Sequence, residues 1–219
     1  IFRKIAAESL CDGDVNTALQ GVSGVLIPGG FGERGLEGKI NAIRWAREND
    51  IPTFGICFGM QAITIEYARN VAGITDANTS EVDENCTHPV IDLMAEQENV
   101  SDKGGTMRLG AYACRVVPDT KLADIYDCDM VFERHRHRWE FNNTYRQQLE
   151  KAGLTASGIF EKRDLVEVVE ISDRDFFIGV QYHPEFKSKP LSPHPLFLRF
   201  VSASLKQQLN SNSAQSVEA

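Results

Sequence analysis

The chain has 219 residues, 42% hydrophobic and 25% charged, an ordinary globular mix at a length that suits one large domain. That composition excludes a disordered chain, a collagen-like repeat and a coiled coil. Asp and Glu number 31 against 23 Lys and Arg, and the net charge of −8 opposes general binding to nucleic acid or to an anionic membrane surface. Five cysteines, Cys11, Cys57, Cys86, Cys114 and Cys128, form no CxxC pair, so a reduced cytoplasmic protein is expected rather than a disulfide framework. No apolar run approaches the ~20 residues that span a bilayer, and Ile1–Ile5 lacks the apolar stretch of a signal peptide. The start without Met is what an excised piece of a longer chain would show.

Residues 22–28 form an apolar run that ends in Pro28-Gly29-Gly30-Phe31-Gly32, a strand feeding a glycine loop. Residues 36–49 carry Ile40, Ile43, Trp45 and Ala46 at near-helical spacing. Residues 51–57 read as a second buried strand, and 58–71 as a helix that starts at once. This strand–helix–strand–helix order, with apolar rather than alternating strands, predicts an α/β fold with a parallel sheet covered on both faces. Residues 73–87 are loop-like, and strands are expected over 88–94, 106–117 and 129–141. Asn142 and Asn143 can cap a helix over Thr144–Ala152. Strands at 154–160, 165–171 and 176–182 precede an amphipathic helix from Pro195 to about Leu209. Ser211–Ala219 is polar and expected to be disordered.

Gly55-Ile56-Cys57-Phe58-Gly59 stands at the second strand–helix junction and has the form of a nucleophile elbow with Cys in place of Ser. Small residues two positions either side let strand and helix pack closely, and a thiol at a helix N-terminus is expected to gain thiolate character from the dipole. The same residues also fit a buried structural Cys between packing glycines. A thiol nucleophile needs a base, and the base an orienting group. Gln181-Tyr182-His183-Pro184-Glu185-Phe186 supplies both, since residues i and i+2 of an extended segment share a side and Glu185 could hold the His183 imidazole. An acyl oxyanion needs two N–H donors; Phe58, which follows the nucleophile, and Gly30 in the glycine loop are the candidates. Gly29, Gly30, Gly32 and Gly35 match neither common phosphate-loop pattern.

Glu133-Arg134-His135-Arg136-His137-Arg138-Trp139-Glu140 admits several readings. His135 and His137 would share one face of a strand, but no neighbouring Cys or His pair completes a zinc site. The overall charge and the flanking glutamates oppose a nucleic-acid patch. A loop that reads an anionic small molecule fits better, with a solvated charged strand as the alternative.

Taken together, GICFGMQ, PGGFGERGLEGKI, DANTSE, GGTMRLG, ERHRHRWEFN and QYHPEF resemble the glutaminase domain of the CTP synthases, a class I (triad) glutamine amidotransferase. The resemblance runs from Ile1 to about Leu205 and implies a flavodoxin-like domain over 1–210: a mostly parallel sheet flanked by helices, with additional antiparallel strands. It implies Cys57 as nucleophile, His183 as general base and then acid, Glu185 as its orienter, and Gly30 with the Phe58 N–H as oxyanion hole. L-glutamine would be held by Gln61, Glu81 and Arg138, joined by Gly30 and by backbone groups of Phe58, Gly59 and Met60. Glu81 and Arg138 offer one acid and one base for the α-ammonium and α-carboxylate of the substrate.

The resemblance further implies an N-terminal synthetase domain, outside this chain, that aminates UTP to CTP with ATP and Mg²⁺, with GTP as activator of glutamine hydrolysis and a homotetramer as the assembly. No cofactor or metal is expected in the glutaminase domain itself. The family usually carries Leu at Phe58 and Tyr at Trp139, and its domain usually opens with a strand and helix that this chain lacks. Two other readings are a γ-glutamyl peptidase, opposed by ERHRHRWEFN and GGTMRLG, and a catalytically silent docking module, opposed by Cys57, His183 and Glu185 standing together.

Overall fold

The computed structural model describes residues 1–93 and 107–217. Gly104, Gly105 and Thr106, the start of the GGTMRLG motif, lie outside the described residues, as do the last residue of the strand expected at 88–94 and the first of that at 106–117. After a short helix α1 (Val15–Leu19), the chain forms β1 (Val25–Ile27), α2 (Leu36–Glu48), β2 (Thr53–Ile56) and α3 (Phe58–Asn70). Next come β3 (Ala77–Thr79), β4 (His88–Leu93), β5 (Arg108–Val116), α4 (Lys121–Tyr126), β6 (Met130–His137) and β7 (Trp139–Phe141). The remainder is α5 (Arg146–Ala152), β8 (Leu154–Phe160), β9 (Leu165–Ile171), β10 (Phe177–Val180) and α6 (Pro195–Val217).

Among the described residues seven strands make one sheet, in the order β1-β2-β10-β9-β8-β5-β6. β1, β2 and β10 run parallel, and the antiparallel strands expected beside them continue the same sheet. Successive side chains of a strand face opposite sides, and here both sides are covered. Phe177 packs with Ile43, Met60 and Ile63 of α2 and α3, while Phe54, Ile56, Ile178 and Val180 pack with Leu196 and Ala203 of α6. Phe54 meets the Phe176 and Phe197 rings edge-on, at 5.6 and 5.5 Å between centroids. That arrangement adds to the area buried.

Three features depart from the reading of the sequence. The strand expected over 129–141 breaks at Arg138: β6 stays in the large sheet, while β7 pairs with β4 in a small sheet ordered β3-β4-β7. β3 lies within the stretch read as a loop. α6 carries on to Val217, into the polar stretch from Ser211. No Pro or Gly interrupts Leu196–Val217, so nothing local stops a helix already anchored by Leu196 and Ala203.

Gly59, in the first turn of α3, sits against the Ile27 carbonyl, and Gly55 in β2 sits against the Gly59 carbonyl. A Cβ on Gly55 would lie 2.6 Å from that oxygen, and one on Gly59 would overlap the Ile27 oxygen. In both cases the obstacle is backbone, which cannot swing aside. Gly59→Ala is therefore expected to cost about 1–3 kcal/mol, as overpacking of a tight contact does. Urea unfolding checks this, through a lower midpoint at unchanged slope.

Candidate active site

Cys57 joins β2 to α3 and is 2% exposed. Its φ of 52° and ψ of −104° are a conformation that a side chain strains against, at a cost of about 1–3 kcal/mol. Hydrogen bonds on both sides hold it there. The Cys57 N–H donates to the Val180 carbonyl at 2.7 Å, and the Cys57 carbonyl accepts from the Gln61 N–H at 3.2 Å. The turn carries the side chain off the end of the sheet, beside the segment that follows β10.

That segment brings in His183. Its N–H donates to the Arg134 carbonyl of β6 at 2.8 Å, which fixes the histidine to the end of the sheet. Nδ1 lies 2.7 Å from Glu185 Oε1. A carboxylate can only accept, so Nδ1 carries a proton toward Glu185. Nε2 is buried and has no hydrogen-bond partner among the described residues. The pairing does not arise from an extended His-Pro-Glu, as the residue spacing suggested. Pro184–Phe186 is one 3₁₀ turn, and it curls the carboxylate back to the imidazole.

Gly29 places Cys57 and His183 together. A Cβ added there would stand 3.0 Å from His183 Cε1 and 3.6 Å from Cys57 Cβ, so the loop backbone forms a floor beneath both side chains. The adjoining Gly30 faces the Phe58 ring, which lies 3.8 Å from where its Cβ would be. Gly59 and Met60 continue the first turn of α3 into the core, with Met60 packed on Gly179, so neither sends a side chain to the site.

A second group lies around the glycine loop. Glu81, just past β3, accepts from the Gly32 N–H at 2.8 Å. Burial raises its pKa, opposed by that hydrogen bond and by the charge of Arg138. Gln61 is buried, with its side-chain amide donating to the Trp139 carbonyl at 3.0 Å. Cys57, Phe58, Gly30, His183 and Glu185 thus form one group, and Glu81, Arg138 and Gln61 border it.

The Arg/His strand is not a solvated charged strand. On β6 the residues alternate: Glu133, His135 and His137 are buried, while Arg134 and Arg136 face out. His135 Nδ1 and His137 Nε2 lie 2.8 Å apart, and His137 Nδ1 is 3.2 Å from the Trp139 carbonyl. Burial, then the charge of Arg108, holds both imidazoles far below the usual histidine range, hence neutral. No group of three or more metal-ligating side chains is placed to hold an ion among the described residues.

Arg108 itself is buried between Glu140 and Glu167, at 3.0 and 2.7 Å, with its guanidinium 4.5 Å from the centre of the Tyr112 ring. Glu133 accepts from Lys187 at 2.9 Å and His194 at 3.1 Å, which ties the chain after Glu185 back to β6. The sequence singled out none of these anchors. Alternation within ERHRHR was the available signal for the buried half of that strand, and the same two-residue alternation past the end of β10 was the signal that puts Gln181 on the face of His183.

Residues 7–203 match the family model described as Glutamine amidotransferase class-I. The chain belongs to the class-I glutamine amidotransferases. It is 54% identical over 209 residues to a CTP synthase from Caldanaerobacter subterraneus subsp. tengcongensis, and 54% identical over 207 residues to one from Bdellovibrio bacteriovorus. Those alignments cover 95% and 93% of this chain but only 39% of each relative, so the chain spans about two-fifths of their length. Among solved structures, the glutaminase domain of Trypanosoma brucei CTP synthase with bound acivicin is similar at a TM-score of 0.87 and 41% identity, covering 93% of this chain and 80% of that one. No helix among the described residues is long and apolar enough to cross a membrane.

For a glutamine amidotransferase the state of the thiol matters, and here burial overturns the expectation from the helix dipole. The Cys57 pKa is pushed up to about 12, first by burial and then by the charges of Glu185, Glu81 and Glu140, with only the Phe58 N–H acting the other way. One turn of helix dipole supplies less than the removal of water takes away. A raised pKa leaves the thiol protonated at neutral pH, and its thiolate fraction then grows about tenfold per pH unit. Alkylation of Cys57 by iodoacetamide without substrate is expected to keep rising from pH 7 to about 10. Peptide mass spectrometry of Cys57 against pH is the measurement.

Proposed function

We propose that this chain hydrolyses L-glutamine to L-glutamate and ammonia, as the glutaminase part of a CTP synthase. The carrying observation is the His183 ring: tied to Glu185 through Nδ1, bare at Nε2, and sharing the Gly29 floor with Cys57. Nε2 takes the Cys57 S–H proton, and the sulfur attacks the side-chain amide carbon of glutamine. The N–H groups of Phe58 and Gly30 receive the oxyanion. As the tetrahedral adduct collapses, His183 gives its proton to the departing nitrogen, which leaves as ammonia. The thioester that remains is attacked by water, whose proton passes to His183 and then back to sulfur as glutamate departs.

Glu185 keeps the proton on Nδ1 throughout and stabilises the imidazolium. Arg138 suits the α-carboxylate and Glu81 the α-ammonium, so substrates lacking either charge forgo a charge-assisted contact and are rejected. Gln61 lines the same pocket. The identities of over half to CTP synthases, and their greater length, support delivery of the ammonia to a synthetase domain that aminates UTP with ATP and Mg²⁺. GTP as activator and a homotetrameric assembly belong to the same reading.

Acivicin, the ligand of the Trypanosoma brucei domain, is the first probe. Modification confined to Cys57 and blocked by excess glutamine is expected; labelling spread over the five cysteines, or none in a folded sample, refutes the reading. Cys57→Ala is expected to release no glutamate from glutamine while leaving ammonia-dependent CTP formation intact in a protein that also carries the synthetase part. Arg138→Ala is expected to raise KM for glutamine about ten- to a hundredfold, the worth of a charge-assisted contact. An unchanged KM removes Arg138 from the pocket.

A further inference from the structure

Gln181 is fully buried just beyond β10, two residues before His183. Its main-chain N–H is satisfied by the Glu167 carbonyl at 2.8 Å, so the side-chain amide needs partners of its own. It has two. Oε1 accepts from Gln61 Nε2 at 3.2 Å, and Nε2 reaches Cys57 Sγ at 3.7 Å, within the longer range of hydrogen bonds to sulfur. Tyr182, between Gln181 and His183, points to the other side, where its hydroxyl lies 3.1 Å from that of Tyr126.

Which end of an amide is nitrogen follows from the network around it. The Trp139 carbonyl is main chain and can only accept, and it accepts a hydrogen bond from Gln61 Nε2 at 3.0 Å. Gln61 therefore turns its NH₂ toward Trp139 and Gln181. Gln181 must answer with its oxygen, which leaves its NH₂ directed at the sulfur. A fixed main-chain carbonyl thus sets the polarity of two buried amides in series, and the far end of the series is the Cys57 thiol.

We propose that Gln181 is a positioning residue that holds the Cys57 sulfur with a side-chain N–H and favours its thiolate. This rests on Cys57 being the nucleophile. While the thiol is protonated, its S–H is free to face a base and its lone pairs accept from Gln181. Once the proton has gone to Nε2 of His183, the acceptor is an anion and the same N–H···S contact strengthens. Burial has stripped water from the sulfur, so a fixed donor there offsets part of the cost of charging it and needs no rearrangement when the charge appears.

The test uses Gln181→Met, of similar length and without a donor, with the fully buried Cys114 of the same chain as the internal gauge of loosening. Cys57 alkylation by iodoacetamide is followed from pH 7 to 10 by peptide mass spectrometry. Gln181→Met is expected to react about tenfold more slowly at each pH, a displacement of about one pH unit to the alkaline side. Alkylation of Cys114 is expected to stay within about twofold of the parent. A purely structural role predicts the opposite sign, because a loosened pocket exposes a buried thiol and speeds its alkylation. Unchanged or faster reaction in folded Gln181→Met overturns the proposal.

Where near-ultraviolet circular dichroism shows that Gln181→Met has not folded, the side-chain amide protons of Gln181 are followed by NMR in the Cys57→Ala chain. An upfield move of about 0.3 ppm or more supports the contact, as loss of a hydrogen-bond acceptor requires; unmoved resonances overturn it. Failure of acivicin to label the parent chain, with the iodoacetamide difference intact, strikes the glutaminase reading and leaves the contact standing.

Discussion

The hydrogen bond from the Cys57 N–H to the Val180 carbonyl, at 2.7 Å, carries the pairing of β2 with β10 past the last strand residue and into the turn. Strands distant in the chain are thereby locked together where each ends, and Cys57, Gln181 and His183 all leave from that junction. Cys57 leaves β2 on a strained turn, while Gln181 and His183 leave β10 beside it. The strain is sustained because the turn has no room to relax: Gly55 rests on Gly59, Gly59 on Ile27, and Gly29 closes the space under the thiol and the imidazole. A parallel pairing suits this purpose, since the C-terminal ends of neighbouring strands then open on the same side.

The far half of the sheet supports the histidine. β6 gives its Arg134 carbonyl to the His183 N–H, and its buried Glu133 gathers Lys187 and His194 from the chain beyond. Behind it Arg108 joins Glu140 of β7 to Glu167 of β9, so one guanidinium bridges the two sheets. Buried charge of this kind contributes little net stability compared with a well-packed apolar core. Its effect here is geometric, because three strands meet at one planar group with fixed hydrogen-bond directions.

The electrostatics of the site oppose the resting thiolate. Burial and three nearby carboxylates raise the Cys57 thiol, so the proton leaves only when a partner accepts it and fixed donors stand ready for the charge. The bare Nε2 of His183 and the N–H of Phe58 belong to that arrangement, and the Gln181 amide extends it to the opposite side of the sulfur. A thiol kept buried and neutral is also protected from adventitious oxidation, which attacks accessible thiolates.

The parts of this site that are local in sequence were legible in it. Gly55 to Gly59 spells a strand, a sharp turn and a helix within five residues, and His183 stands two residues from the Glu185 it bonds. Even so, the sequence suggested an extended His-Pro-Glu and a dipole-favoured thiolate. The 3₁₀ turn and the depth of burial came from the packing around them, which no spacing encodes. Glu81 and Arg138 were reachable only through the resemblance, because their approach depends on how β3 and the end of β6 fold toward the glycine loop.

Other features belonged to tertiary structure alone. The chain reads as continuous through Arg138, yet β6 and β7 part there into different sheets, since the partner strand and not the local residues decides where a strand pairs. His135 and His137 look exposed among arginines until the other face of β6 is seen to be buried. The polar end of α6 stays helical because the helix was nucleated and packed many residues earlier. Sequence by itself determined the class of fold and offered the Cys57 and His183–Glu185 motifs, each of which is spelled within a few positions. Structure decided the protonation of the thiol, the polarity of the Gln61–Gln181 pair and the bracing of His183, because each depends on groups far apart in the chain that share water-free space.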